Sequence, residues 1–204
     1  MTDYFALFDE PRRLWINPEQ LKAKFLTLAA EAHPDKIHSA APAARATANR
    51  CFAELNSAFN CLRDPKERLH HLLELEVGAV PNEVHEIPPA LAEQFIEIAR
   101  LRQEVNAFLA ESSRIQSALR RVQVFEHAQE WIDRLHAVQQ RVTDHQAMLL
   151  QELQALDTKW VSLEKDPAQR GFLLRRAEQM HQQLSFYNRW NAQIQESIVQ
   201  LTLI

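Results

Sequence analysis

The chain has 204 residues, 46% of them hydrophobic and 25% charged, a composition typical of one large or two small packed domains. Two glycines are too few for the hairpins, phosphate-binding loops and dinucleotide folds that need positive φ angles, which excludes a P-loop or Rossmann enzyme. The net charge of −4 provides no general basic field for a phosphate backbone, so we expect no nucleic-acid partner.

The first residues lack the basic side chains and apolar stretch of a signal peptide, and no run approaches the roughly 18 apolar residues of a membrane helix. We therefore expect a cytoplasmic protein with no membrane partner. Cys51 and Cys61 fit neither a CxxC redox pair nor a zinc half-site, and we expect both to be buried thiols. No histidine stands at a metal-ligand spacing such as HExxH, so we expect no metal and no cofactor.

Four short helices are predicted within residues 1–78, and side-chain chemistry marks two of their starts. An Asn-Pro pair at residues 17–18 and an Asp-Pro pair at residues 64–65 each place an N-cap side chain before a proline at the first helical position. The helix that starts at the second pair is expected to end near Gly78.

The second of these helices has an apolar stripe at spacings typical of one buried helix face. The stripe consists of Leu21, Phe25, Leu28 and Ala32. We expect this helix to end at His33, because Pro34 disfavours the helical conformation of the residue before it. The next helix is expected to follow a loop that runs to about Pro42 and to pack antiparallel on the second.

Residues 79–89, with three prolines, form the predicted linker, and residues 90–204 form a predicted three-helix bundle. The first bundle helix is expected to end near Ser112. Two further helices carry apolar stripes in a 3,4 register, which predicts that they close on each other as an antiparallel hairpin. The stripes contain Ile132, Leu135, Val142, Leu149, Leu153, Leu156, Trp160 and Leu163, and Leu173, Ala177, Met180, Leu184, Tyr187, Ile194, Ile198 and Leu201. The polar interruptions are Gln139, Gln146 and Asn191, and the tryptophans expected in the core are Trp131, Trp160 and Trp190.

The His33-Pro34-Asp35 tripeptide is the strongest candidate for function. Proline stiffens the turn between the second and third helices and leaves an imidazole and a carboxylate displayed at its tip. Such a carboxylate can pair with an arginine of another protein. The alternative is a simple helix terminator in which Asp35 closes its own turn.

Several separated motifs flank this tripeptide in a fixed order. They are Tyr4-Phe5-Ala6-Leu7-Phe8, the amphipathic helix from Leu21 to His33, His33-Pro34-Asp35-Lys36, and Asn56-Ser57-Ala58-Phe59-Asn60-Cys61-Leu62-Arg63-Asp64-Pro65. In this order they resemble a J-domain. The resemblance implies an all-α fold over residues 1–78, an antiparallel helical hairpin with short flanking helices.

Three features resemble the HscB-type iron–sulfur co-chaperones more narrowly. They are the start Asp3-Tyr4-Phe5-x-Leu7-Phe8, the stretch Asp64-Pro65-x-x-Arg68-x-x-x-Leu72-Leu73, and a helical bundle in place of a glycine-rich region. This resemblance implies a co-chaperone that does no covalent chemistry itself. Its J-domain would dock on a DnaK/HscA-type ATPase chaperone and stimulate ATP hydrolysis, while the bundle would deliver an IscU-type cluster scaffold to that chaperone.

The family's chaperone contact carries over to the tripeptide and to basic residues near it. These residues are His33, Pro34, Asp35, Lys36, Lys24 and Lys22. The chain departs from many J-domains in the turn before the loop, where residues 29–32 read Ala-Ala-Glu-Ala instead of carrying a basic or aromatic side chain. This departure weakens the cationic face. The alternative for Lys22 and Lys24 is a merely solvated helix surface.

The family's scaffold-binding patch carries over to the first and last helices of the bundle. Its residues are Leu91, Phe95, Glu93, Glu97 and Phe186. The core spacing of Leu91 and Phe95 favours an alternative in which both face the bundle interior, with Ile96 as the more exposed neighbour. The chain departs from the family here in two ways: Ala92 stands where a methionine is usual, with a longer spacing up to Arg102, and the bundle is extended between about Val105 and Trp131.

No constellation of residues indicates an enzyme. Two functions from different classes therefore stay open. The first is the iron–sulfur co-chaperone. The second is a J-domain adaptor that delivers a different client, or self-associates, through the divergent bundle.

Overall fold

The computed structural model describes residues 2–32, 42–78, 87–115, 117–162 and 167–204, and within these ranges the chain is all-helical, as the sequence predicts. The helices are α1 (Tyr4–Leu7), α2 (Pro18–Glu31), α3 (Pro42–Arg63), α4 (Pro65–Val77), α5 (Ala92–Ser112), α6 (Ala118–Ser162) and α7 (Pro167–Thr202), with a short 3-10 turn at Pro89–Leu91. None of the described helices is long and apolar enough to cross a membrane.

Both predicted helix caps are present. The Asn17 carboxamide oxygen accepts the backbone N–H groups of Glu19 and Gln20, and the Asp64 carboxylate accepts those of Lys66 and Glu67. These side chains satisfy amide groups that have no partner within the helix. At the far end, α4 stops at Gly78 in the left-handed conformation, with φ of 71°.

The end of α2 is described up to its C-cap. The helix ends at Glu31 with Ala32 as its C-cap, and the expected end at His33 lies outside the described residues. Leu21 is buried, and the other residues of the predicted stripe are half-buried. The Phe25 ring stacks on that of Phe59 with centroids 4.3 Å apart, which packs α2 on α3 as the stripe predicts.

The chain forms two compact units, and each of them contains segments that are distant in the sequence. Residues 1–82 group with 150–181, and residues 83–149 group with 182–204. Helices α6 and α7 thus contribute to both units. The expected linker, residues 79–89, is described only from residue 87 onward, so its role as a domain boundary stays a prediction.

In the first unit, side chains satisfy the backbone of the loop between α1 and α2. The buried Arg68 guanidinium donates to the carbonyl oxygens of Leu14 (3.0 Å) and Leu62 (2.6 Å), and burial lowers the pKa of Arg68 to about 10. The Trp160 indole donates to the carbonyl oxygen of Arg12 at 2.7 Å. Because a buried backbone group without a partner is costly, these bonds fix the path of the loop.

The core of the first unit collects apolar residues from the loop and from six helices. Its buried members include Phe5, Phe8, Leu14, Ile16, Leu21, Leu55, Leu62, Leu69, Leu72, Leu73, Leu153, Trp160, Leu173, Ala177 and Met180. Cys61 is half-buried, its thiol donates to the Glu67 carbonyl at 3.5 Å, and burial raises its pKa to about 11. Cys51 is exposed, so the expectation of two buried thiols is wrong for this residue.

In the second unit, α6 and α7 pack through the predicted stripes, and α5 contributes further buried residues. Buried members include Leu101, Val105, Ile132, Leu135, Val142, Leu149, Leu184, Tyr187, Trp190, Ile194, Ile198 and Leu201. The polar interruptions of the stripes meet each other. Asn191 donates to the Gln146 side-chain oxygen at 3.2 Å, and Gln146 donates to Asn188 at 3.0 Å.

The expected extension, residues 105–131, forms the end of α5, the turn that follows and the start of α6. Helix α5 ends at Ser112, as predicted. Trp131 is half-buried rather than a core residue; its ring contacts that of Phe108, with centroids 6.4 Å apart, and the Arg134 guanidinium lies 4.2 Å from it. The other two expected core tryptophans, Trp160 and Trp190, are buried.

Candidate functional site

The first candidate site is the outward surface of α2 together with the loop that follows it. The loop residues of the predicted chaperone contact are His33, Pro34, Asp35 and Lys36, and all four lie outside the described residues. Their role stays a prediction. Helix α2, which leads into the loop, is described throughout and is held at its start by the Asn17 cap.

The two lysines of α2 differ in what surrounds them. Lys22 is exposed and has no ion-pair or hydrogen-bond partner among the described residues. The Lys24 ammonium lies 3.3 Å from the Phe8 carbonyl oxygen, 3.1 Å from that of Asp9 and 2.5 Å from the Glu10 carboxylate. The predicted chaperone contact of Lys24 is untested, and its ammonium is engaged within the chain.

Sequence reasoning missed one exposed side chain on α2. Leu26 is 57% exposed, one helical turn after Lys22 and on the same face of the helix. The signal was present in the sequence, because Leu26 falls outside the stripe of Leu21, Phe25 and Leu28. An apolar residue off the buried stripe of an amphipathic helix is expected to face solvent.

The second candidate site is the predicted scaffold-binding patch on the bundle, and the structure divides its residues. Leu91 is 2% exposed and Phe186 is 6% exposed, so both belong to the core. This agrees with the core alternative for Leu91. Phe95 is 39% exposed, in contrast to that alternative, and Ile96 is 65% exposed, as expected.

The acidic residues of this patch lie on the outer face of α5. Glu93 and Glu97 are both exposed, and the Glu97 carboxylate forms an ion pair with Arg141 of α6. Glu97 and the adjacent Ile96 of α5 also line a groove whose other wall is α6, with Ala137, Val138 and Arg141. Of the predicted patch, Phe95, Glu93 and Glu97 are thus exposed, and Ile96, which was not part of it, lies exposed beside them.

The groove continues along α5 through a second set of charges. Glu104 accepts from Arg100 at 2.9 Å on its own helix and from Arg134 of α6 at 3.2 Å, and both arginines lower the pKa of this carboxyl. Sequence reasoning did not identify Arg134 or Arg141 as neighbours of the patch. Their pairing depends on the register between α5 and α6, which the sequence alone left uncertain.

No group of three or more histidine, cysteine or acidic side chains that could hold a metal ion exists among the described residues. The ring of His70 lies 5.5 Å from that of His181, and burial lowers the pKa of His181 to about 4. This pair packs α4 against α7 inside the first unit.

Comparison with curated proteins finds relatives that match part of this chain. No protein-family model matches the chain. Co-chaperone protein HscB homologues of Bordetella petrii and Bordetella pertussis are each 39% identical to it over 72 residues, 35% of this chain and 42% of the relative. The chain therefore matches less than half the length of these curated relatives.

Two solved structures are similar over nearly the whole chain. The chaperone HscB from Vibrio cholerae has a TM-score of 0.63 at 22% identity, covering 98% of this chain and 99% of that protein. The human co-chaperone protein HscB has a TM-score of 0.55 at 18% identity, covering 96% and 81%. These structures show a shared fold, the 72-residue similarity adds a likeness in sequence, and together they confirm that the chain resembles the HscB-type co-chaperones.

Proposed function

We propose that this protein is a cytoplasmic J-domain co-chaperone in iron–sulfur cluster assembly. The observation that carries the proposal is the capped, stacked pair of helices α2 and α3 on either side of a His33-Pro34-Asp35 sequence. The 39% identity to HscB homologues supports the same role.

In the proposed mechanism the protein binds two partners and performs no covalent chemistry itself. The contact with a DnaK/HscA-type chaperone consists of His33, Pro34 and Asp35, with Lys22 and Lys36 beside them, and stimulates ATP hydrolysis by that chaperone. The bundle carries an IscU-type scaffold. Binding both partners raises their local concentration, to the millimolar range for short linkages, so weak individual contacts are sufficient.

The scaffold contact is proposed at the exposed part of the α5 patch. Phe95 and Ile96 provide apolar surface, and the carboxylates of Glu93 and Glu97 flank it. Leu91 supports this surface from the core, since its side chain is buried directly before the start of α5. Phe186, likewise buried, is assigned the same supporting role.

The decisive test is Asp35→Asn in the full chain, measured as single-turnover ATP hydrolysis by a DnaK-type chaperone. We expect the variant to fold normally and to lose stimulation, because the amide cannot form the charge-assisted pair with a chaperone arginine. Asp133→Asn, which changes an exposed carboxylate of α6, is the matched control and should stimulate like the unmodified protein. Full stimulation of chaperone ATP hydrolysis by Asp35→Asn would contradict the proposal.

A second candidate is an adaptor that delivers a different client through the bundle. The burial of Leu91 and Phe186 and the ion pair between Glu97 and Arg141 favour it, because they leave less of the predicted patch available. Calorimetric titration of the full chain with an IscU-type scaffold separates the two. Binding that weakens at least tenfold in Ile96→Asp supports scaffold delivery, whereas no binding by the unmodified chain supports the different client.

A further inference from the structure

The outward face of α2 combines a cation with an apolar side chain. Lys22 and Leu26 are four residues apart and therefore neighbours on one helix face. Both are exposed, and Leu26 is the one large apolar side chain of the fully described α2 that is more than half exposed. The positions around Leu26 on this face, Ala23 and Ala30, are small and exposed. The isobutyl group of Leu26 thus projects beyond its neighbours.

The Lys24 ammonium, by contrast, is engaged within the chain. An ammonium group has three N–H donors, and three oxygen atoms surround this one, from Phe8, Asp9 and Glu10. Asp9 has φ of 48°, a left-handed conformation that is uncommon for residues other than glycine. The Lys24 ammonium bonds the carbonyl oxygen of Asp9 itself. It therefore holds a strained turn in place, and moving it to a partner would release that turn.

Charge indicates what kind of surface fits this face. Lys22 has no acidic partner among the described residues, so its charge is available to an incoming carboxylate. No charged side chain lies between Lys22 and Leu26 on this face of α2. A matching surface has an acidic side chain beside an apolar patch, because burying Leu26 against polar groups would give no favourable transfer free energy.

We infer that Lys22 and Leu26 together form the chaperone contact of α2, and that Lys24 positions the loop between α1 and α2 instead of binding the chaperone. The inference rests on the proposed co-chaperone function and assigns its residues. The partner is the ATPase chaperone, recognised through an acidic side chain next to an apolar patch. The contact in this chain is thus half apolar, in keeping with the absence of basic residues between Leu26 and the loop.

The test measures chaperone ATP hydrolysis as a function of co-chaperone concentration, with full-length variants. We expect Leu26→Ala to raise the half-saturating concentration about five- to tenfold and Leu26→Glu to raise it further, because the first removes apolar contact and the second adds repulsion. Lys22→Gln should raise it several-fold, with an effect that shrinks at high salt. Val199→Ala, an exposed apolar residue of α7, is the matched control and should change nothing.

Lys24→Gln distinguishes the two lysines. We expect its half-saturating concentration to stay within twofold of the unmodified protein while its thermal midpoint falls by about 3 °C or more. Lys22→Gln should show the opposite pattern, a weaker contact at an unchanged midpoint. A loss of affinity in Lys24→Gln at an unchanged midpoint would overturn the assignment.

The proposed function and this inference fail differently. If Asp35→Asn abolishes stimulation and Leu26→Ala matches the unmodified protein, the co-chaperone stands and the Leu26 contact is wrong. If Asp35→Asn stimulates fully, the proposed function itself is wrong, and the inference falls with it.

Discussion

Arg13 and Asp157 are 144 residues apart in the chain and form an ion pair, with Nη2 of Arg13 at 2.5 Å from the carboxylate. The Asp157 side chain is 3% exposed and also accepts the backbone N–H of Trp15 at 3.0 Å. We expect Asp157→Ala to lower the free energy of unfolding by about 2–4 kcal/mol, because it leaves a guanidinium and a backbone amide without their acceptor. Urea denaturation of the full chain measures this loss.

Asp144→Ala provides the control for this measurement. Asp144 is an exposed residue of the same helix, α6, and accepts one side-chain bond from Gln140. Its removal should change the free energy of unfolding by no more than about 0.5 kcal/mol. Equal losses of unfolding free energy in Asp157→Ala and Asp144→Ala would mean that the contact between Asp157 and Arg13 does not stabilise the fold.

Acid should destabilise the first unit through two buried histidines. Burial lowers the pKa of His71, whose Nε2 accepts the Tyr4 backbone N–H at 3.1 Å, and burial together with the nearby His70 lowers the pKa of His181 to about 4. Both groups favour the neutral form in the folded state. Since the unfolded chain takes up these protons at a higher pH, stability is complete above about pH 6.5 and falls as the pH decreases toward 4.

Between pH 7.5 and pH 5, we expect protonation linked to His181 to lower the free energy of unfolding by about 1–2 kcal/mol. Urea denaturation at each pH measures this loss. His181→Gln should flatten this pH dependence, because glutamine does not titrate. His127→Gln changes an exposed histidine of α6 and should leave the slope unaltered. An equally steep slope in His181→Gln would assign the acid sensitivity to other groups.

Removing the polar meeting point of α6 and α7 should stabilise the second unit. The Oδ1 atom of Asn191 is buried without a hydrogen-bond partner among the described residues, although its amide group donates to Gln146. We expect the double variant Gln146→Leu with Asn191→Leu to gain about 1–2 kcal/mol, because apolar side chains remove an unsatisfied group from the packed stripe.

Urea denaturation gives this gain, and Gln140→Leu on the exposed face of α6 serves as control. The oligomeric state of the double variant should also be measured by sedimentation, since a buried polar residue can fix the register and number of packed helices. A lower urea midpoint in the double variant would show that the Gln146–Asn191 bond outweighs the unsatisfied atom.

Replacing each of the two glycines by alanine should change the stability of the protein in opposite directions. Gly78 has φ of 71° and open space where a Cβ would lie, so Gly78→Ala costs only backbone strain, about 1 kcal/mol. Gly171 lies within α7, and its Cβ would meet only the flexible end of Arg175 at 4.0 Å. Gly171→Ala should therefore gain about 0.5–1 kcal/mol. Thermal unfolding of both variants measures the difference, and a gain in Gly78→Ala would contradict the capping role.

The sequence predicted those features that depend on neighbouring residues. The caps at Asn17 and Asp64, the end of α4 at Gly78 and the end of α5 at Ser112 follow from side chains within one turn of each boundary. The stripe of α7 was also predicted in full, because a long helix with no interior proline keeps its register from one end to the other.

Features that join distant segments were not predicted. The grouping of residues 150–181 with the first 82 depends on Asp157 and Trp160, which carry no sequence signal for partners more than 140 residues away. The sequence placed Lys24 in the chaperone contact and gave no sign of its bonds to carbonyl oxygens, since these depend on the path of a loop without regular structure. In the same way, the burial of Phe186 depends on which face α7 turns toward the bundle.

The bonds that hold the loop between α1 and α2 have a consequence for the order of folding. Arg68 reaches Leu14 across 54 residues, and Trp160 reaches Arg12 across 148. Contacts of such separation form after local ones, because the entropy of closing the intervening chain opposes them. Helices α3 and α4, joined at the Asp64 cap, are thus expected to be native-like in the transition state, while the loop joins them late. Trp160→Phe, which removes the indole N–H that reaches Arg12, should accordingly speed unfolding more than it slows refolding.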